Sequence, residues 1–167
     1  LGERWRTIFG LRAEHTSMST RAPEGSAGFE AADIDQTDLL PALSVVYRLS
    51  KDMNIRAAYG RTIARPLYRE LASVRVEDAF NDEFYAGNPN LELSTIDNLD
   101  LRWEWFLRPG EIVALSGFYK FFENPIERVI LTSVGNNSMS SQNVDEGRVL
   151  GLEIEMRKKL DSIHGLL

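Results

Sequence analysis

The chain has 167 residues and a mass of 18.9 kDa, enough for a single domain with a sizeable core, and its net charge of −6 argues against a nucleic-acid binder that works by neutralising phosphates. Cysteine is absent and the two histidines, His15 and His164, stand at opposite ends, which excludes a disulfide framework, a cysteine nucleophile and a histidine-rich metal cluster within one chain. No run approaches the about 18 apolar residues of a helical membrane span, but 43% hydrophobic residues leave a membrane β-barrel open, because its strands need only about 9–11 residues with every second one apolar.

The opening, LGERWRTIFGLRAEH, is strand-like rather than a charged segment followed by an apolar one, which predicts that no signal peptide is present and that the chain is a piece of something longer. From there the signal is alternation with period 2. Over residues 4–14, Trp5, Thr7, Phe9, Leu11 and Ala13 share one face, with Ile8 out of pattern. A second strand is predicted over 39–50, where Leu39, Pro41, Leu43, Val45, Tyr47 and Leu49 alternate with a mixed set. The third, over 55–62, sets Ile55, Ala57 and Tyr59 against Arg56, Ala58, Gly60 and Thr62, and the short gap at 51–54 predicts a hairpin. Arg65-Pro66 stops that strand, because proline lacks an N–H and extends its predecessor, and LYRELA after it can form one helical turn. Gly87-Asn88-Pro89-Asn90 is a turn signal leading into the next strand.

That fourth strand has the cleanest alternation: Leu99, Leu101, Trp103, Trp105 and Leu107 oppose Asn98, Asp100, Arg102, Glu104 and Phe106. After the turn Arg108-Pro109-Gly110, Val113, Leu115, Gly117, Tyr119 and Phe121 alternate with a second face that is itself apolar at several positions. The sixth strand sets Leu150, Leu152, Ile154 and Met156 against Gly151, Glu153, Glu155 and Arg157, with Asp161 and Ser162 closing it. Gly151 beside Glu153 marks a place where something approaches the sheet closely.

Between the strands the connections run long, short, long, short, long. Loops of this length are uncommon in compact soluble domains and usual in outer-membrane barrels, where long loops face outside and short turns face the periplasm. The three long connections, 16–38, 64–95 and 122–146, hold 15 acids and 5 bases, a net −10 that leaves +4 on the rest. A soluble β-sandwich also alternates. Two features weigh against it: aromatic residues near the ends of the apolar faces (Tyr59, Trp105), and charges (Arg56, Arg102, Glu104, Lys120, Glu153, Glu155, Arg157, Lys159) on the opposite faces, suited to a wet or plugged lumen.

Four stretches, RAAYGRTIARPLYREL (56–71), GNPNLELSTIDNLDLRWEW (87–105), GFYKFFENPIE (117–127) and NVDEGRVLGLEIEMRKKL (143–160), stand in an order and spacing that resembles the C-terminal half of TonB-dependent outer-membrane receptors. The resemblance implies an all-β fold of antiparallel, up-and-down strands: about six strands of a 22-stranded transmembrane barrel filled by an N-terminal plug. Residues 1–167 would then be a partial barrel, with the plug, the TonB box and the terminal strand outside it. It implies a protein of the Gram-negative outer membrane that takes up a scarce, bulky nutrient such as a ferric siderophore. Its partners would be outer-membrane lipid, its own plug domain, the nutrient, and the TonB-ExbB-ExbD complex reached through the missing N-terminal part. Cobalamin, saccharide and peptide receptors share these motifs, so the cargo is not selected.

Ligand-binding candidates are the polar and aromatic residues of the long loops: Arg65, Tyr68, Arg69, Phe84, Tyr85, Asn136 and Asn137. Asp100 and Glu153 resemble positions where family barrels present carboxylates to plug arginines, and a charge in a filled lumen needs a partner. The sequence has no nucleophile-and-base pairing, phosphate loop or metal-ligand spacing, so neither catalysis nor a cofactor is expected. The functions from other classes are a soluble all-β adhesion or carbohydrate-binding module and a passive porin.

Overall fold

The structure, a computed structural model, describes residues 4–21, 29–78, 83–133 and 136–159. His164 and the predicted strand end at Asp161 and Ser162 lie outside the described residues.

Six long strands form one antiparallel sheet in the order β1 (Trp5–Thr20), β2 (Ala32–Arg48), β3 (Met53–Ala64), β6 (Ser94–Arg108), β7 (Glu111–Glu123) and β10 (Glu146–Arg157). Each expected strand falls on one of these, the first overrunning it by Arg4 and the second by Leu49 and Ser50, and neighbours along the sheet are neighbours along the chain apart from the segments inserted after β3 and β7. Among the described residues those inserts carry a single helical turn, α1 (Tyr68–Leu71), and four short strands: β4 (Arg75–Asp78), β5 (Glu83–Ala86), β8 (Ile126–Ser133) and β9 (Asn136–Asn143). The short strands make a second sheet in the order β4-β5-β9-β8, whose β5–β9 contact is parallel.

Two expectations about the connections need correction. Residues 16–38, read as a loop, are mostly strand: β1 and β2 stay paired from Trp5↔Tyr47 up to Thr20↔Ala32. Alternation is not legible there because the outward positions Asp33, Asp35 and Thr37 are polar and the inward ones are mixed, Ala32 and Ile34 packing under the inserts while Gln36 and Asp38 do not. The connections 63–96 and 122–147 are folded rather than open, and the parallel pairing joins segments too far apart in sequence for local pattern to reveal.

Register sorts the large sheet into two faces. Across one row Trp103 of β6 stands between Ile55 and Leu115, and Leu115 opposite Ile154; the next rows hold Leu101 and Leu99 with equally apolar neighbours. This belt ends in aromatic residues both ways. Toward the short-turn end the Trp5 and Tyr47 rings lie 4.4 Å apart in the row of Ile55 and Trp103, and Trp105 stands one row nearer the turn; at the other end stand Tyr59 and Tyr119. One row further the face turns polar, where Asp97 accepts from Tyr59 Oη at 2.6 Å and from the Arg61 guanidinium at 2.8 and 2.9 Å. The belt is exposed, Leu150 and Leu152 at 79% and Ile154 at 80%.

The opposite face carries a ladder of charges. Glu104, buried, accepts from Arg56 Nε at 2.7 Å and from Arg102 Nε at 3.1 Å; Arg102 also donates to Ser116 Oγ at 2.9 Å and to Glu155, which pairs in turn with Arg157. Gly151 lies directly opposite Phe118, and a Cβ on it would strike the phenyl ring, so the close approach expected there comes from a neighbouring strand. An aromatic ring over a strand glycine replaces the packing that the missing side chain gives up.

Candidate functional site

The loop residues assemble over the polar face, and the motif residues are what hold them there. Arg65, just past β3, donates from Nε to Thr16 Oγ1 at 3.0 Å and pairs with Glu14, so it reaches across β2 to β1. Glu70 caps its own helical turn by accepting from the Leu67 amide at 2.8 Å. Leu71 is fully buried against Met18, Ala32 and Leu91, with Ile34 and Ile126 packed around them. Gly87 passes so close to the Ala72 carbonyl that any Cβ would overlap it. Next to it the Asn88 amide donates to the Glu70 carbonyl at 2.6 Å, and the Asn88 side chain donates to the Ser141 carbonyl at 3.1 Å. The R-P and G-N-P stretches are thus two halves of one clasp that fastens the inserts to the wall.

Above the clasp the second sheet presents cations against aromatic rings. Arg69 lies 5.6 Å from the centre of the Tyr85 ring and Arg75 lies 4.3 Å from that of Phe84. Tyr85 Oη and Ser141 Oγ share a hydrogen bond of 3.0 Å, and Arg75 donates to Ser138 Oγ at 3.1 Å. Tyr68 projects into solvent, 63% exposed. Asn136 and Asn137 start β9, next to the Ser138 that registers with Phe84; their side chains lie outside the described residues. The structure therefore gathers Arg69, Phe84 and Tyr85, sets the Asn136–Asn137 backbone beside them, and separates Arg65, whose guanidinium is engaged with the wall. Arg75, Ser138 and Ser141 complete the group. Sequence reading passed over them because a lone arginine and two serines in a polar loop carry no spacing signal.

Below the clasp a hollow of about 480 Å³ opens between wall and inserts, with Arg65, Glu70 and Glu127 at its polar side and Ile96, Phe122 and Ile126 at its apolar side. Further down the same face Asp100 and Glu153, both exposed, border a smaller hollow with Arg102, Ser116, Phe118 and Lys120. Glu104 and Glu155 on that face are ion-paired within the chain; among the described residues Asp100 and Glu153 are in no ion pair.

Over residues 1–164 the sequence matches the family described as TonB dependent receptor-like, beta-barrel. The chain belongs to that family. Barrels of this family are proteins of the Gram-negative outer membrane, which makes the apolar belt of this receptor chain its lipid face and the charged ladder its lumen face. Solved structures agree in fold. The siderophore receptor PirA from Pseudomonas aeruginosa is 21% identical with a TM-score of 0.63, over 91% of this chain and 32% of that one. The Serratia marcescens hemophore receptor HasR, solved as a double mutant with its hemophore HasA and heme, is 15% identical with a TM-score of 0.66, over 93% and 28%. The copper transporter OprC is 18% identical with a TM-score of 0.63, over 96% and 25%. The receptor chain thus spans about a third or less of these chains. No curated protein matches it in sequence.

Proposed function

We propose that this receptor chain is part of the wall of a 22-stranded, TonB-dependent active transporter whose remaining strands and plug domain lie in the rest of the protein, and which takes up a scarce, bulky nutrient such as a ferric siderophore. The observation that carries the reading is the arrangement of the sheet: a lipid belt closed by aromatic residues at both ends, backed by a charged lumen face, with inserts folded over the lumen rather than away from it. The solved structures of like fold include a siderophore receptor, a hemophore receptor and a copper transporter, which supports metal-bearing cargo as a class. The work on this reading is binding and gating, without covalent chemistry.

Within the reading, Tyr68, Arg69, Phe84, Tyr85, Asn136 and Asn137 form the outer binding surface, where guanidinium groups held over aromatic rings suit a large anionic or aromatic cargo. Arg65 serves it indirectly, by anchoring the inserts. Asp100 and Glu153 are the carboxylates offered to the plug. The test is uptake by a strain expressing the full-length receptor, with a panel of labelled ferric siderophores, heme and cobalamin, with and without TonB. Uptake of one cargo that disappears without TonB supports the proposal; uptake that persists without TonB identifies a passive porin, and no uptake of any cargo overturns the nutrient-transport reading.

A further inference from the structure

Where the two inserts rejoin the wall, one side chain ties three segments of the chain together. Asn143, at the end of β9, meets both polar groups of the Glu92 backbone, between the G-N-P stretch and β6: its Oδ1 accepts from the Glu92 amide at 2.9 Å and its Nδ2 donates to the Glu92 carbonyl at 3.1 Å. The same Nδ2 donates to the Asn124 carbonyl at 2.7 Å, at the corner between β7 and β8. Asn124 is left-handed there, φ 52°, a conformation that asparagine tolerates better than most residues, and its carbonyl also accepts from the buried Ser94 Oγ at 2.8 Å. The carboxamide does for Glu92 what a peptide group does in a ladder, donating and accepting on one neighbour, although Glu92 lies outside the strands.

Above this knot the inserts meet along a contact too short to choose its own register. β5 and β9 run parallel over the three pairs Phe84↔Ser138, Tyr85↔Met139 and Ala86↔Ser140. Register is strongly specified where one face is apolar and buried, and weakly in polar strands; β9 reads NNSMSSQN. A slip by two residues would keep every side chain on its face and exchange serine for serine beside Phe84, so the composition of β9 does not resist it. Asn88 reaches the Ser141 carbonyl, a group that every residue of β9 offers, and Tyr85 Oη adds one bond to Ser141 Oγ. Asn143 places three bonds on one residue.

We infer that Asn143 is a positioning residue of the outer binding surface: by pinning the root of β9 to Glu92 and Asn124, it sets the register in which Ser138 and Ser140 stand beside Phe84 and Ala86. The inference rests on the reading of that surface given under the proposed function. Register decides which groups the surface presents, the Arg75 contact with Ser138 Oγ among them. Asn143 is itself registered with Ile126, the first residue of β8, so the pin carries β8 along with β9. The chemistry of the position is narrow. Aspartate would keep an acceptor for the Glu92 amide but turn a carboxylate toward two carbonyls, and serine has one hydroxyl for three partners.

The experiment uses the full-length receptor in its own outer membrane, with A86C combined with S138C, S140C or Q142C in separate strains. Mild oxidation reports which pair forms a disulfide, which needs Cα atoms within about 7 Å and so leaves a partner two residues out of register beyond reach; heat modifiability on gels shows that the barrel has assembled. A86C/S140C should dominate. Adding N143D should lower its yield relative to the two off-register pairs by about tenfold, the equivalent of one or two lost hydrogen bonds, while N124G, which keeps the left-handed corner and its carbonyl, should leave the ratio within about twofold. Where N143D does not assemble, N143S carries the measurement; failure of both to assemble overturns the inference, because it makes Asn143 a requirement of the wall rather than of the inserts. A role confined to stability would lower all three yields in proportion and keep the ratio. That result overturns the inference, as does a ratio unmoved by the Asn143 variants or a preference for an off-register pair with Asn143 in place. Uptake is not read, so failure of the transport proposal and failure of this one are separate results.

Discussion

Glu104 is the residue on which the lumen ladder turns, because it alone separates the directly opposed Arg56 and Arg102. Removing one partner of a buried pair leaves the other charge uncompensated. E104Q should therefore cost about 1–3 kcal/mol of barrel stability, whereas E155Q, at a more exposed position, should cost distinctly less. Urea-induced loss of heat modifiability in the full-length receptor checks both; equal midpoints for the two variants would contradict the ladder. At Gly87 the objection to a side chain is spatial. G87A should force the Ala72 carbonyl away at about 1–3 kcal/mol, seen as faster protease cleavage of surface loops on intact cells while the barrel band is unchanged. The facing of Arg102, Glu104, Glu153 and Glu155 was legible in the sequence because strand parity is a local rule. The partners of Arg65, Gly87 and Gly151 were not, since Glu14, Ala72 and Phe118 become neighbours only through tertiary contact.

Among the strands, β6 makes the sharpest statement about the membrane. Trp103 sits mid-belt between Ile55 and Leu115, while Trp105 is opposite Met53, the first residue of β3 beside the short turn. An arginine at the bilayer midplane costs about 2–4 kcal/mol and much less near the interface, so W103R should impair refolding into lipid vesicles far more than W105R. Equal refolding stabilities would refute the lipid-face assignment. The inserts stand or fall with their small core: L71A should cost about 2–5 kcal/mol locally, raising protease access to 65–93 without altering the wall. Pattern reading located the six wall strands because each has one face against an apolar medium. It missed the upper halves of β1 and β2 and all of β4, β5, β8 and β9, because their buried positions are few and often small or polar (Thr16, Ala32, Ser138, Ser140, Ser141) and are covered by segments distant in sequence.

Taken as a whole, the receptor chain is a sheet with two open edges, β1 and β10, and one broad apolar face. Either feature alone promotes association in water: an open edge templates further strands, and apolar patches of this breadth seek cover. The 167-residue chain on its own should sediment as a defined species only in detergent, and as aggregate without it. A stable monomer in plain buffer that binds no hydrophobic dye would bring the soluble-sandwich fold back. Detergent dependence in sedimentation velocity is the measurement.

The parallel contact between β5 and β9 also imposes an order in time. It brings Tyr85 to Ser141, 56 residues further along, and the β6–β7 hairpin occupies the chain between them. Wall hairpins close over a few residues, but the second sheet must first give up the entropy of that long loop before any of its contacts repay it. The expected order is that β6 and β7 pair first, which brings β9 beside β5 and the Ser141 carbonyl within reach of Asn88. The outer surface of this chain is therefore expected to assemble late, on a wall already in place.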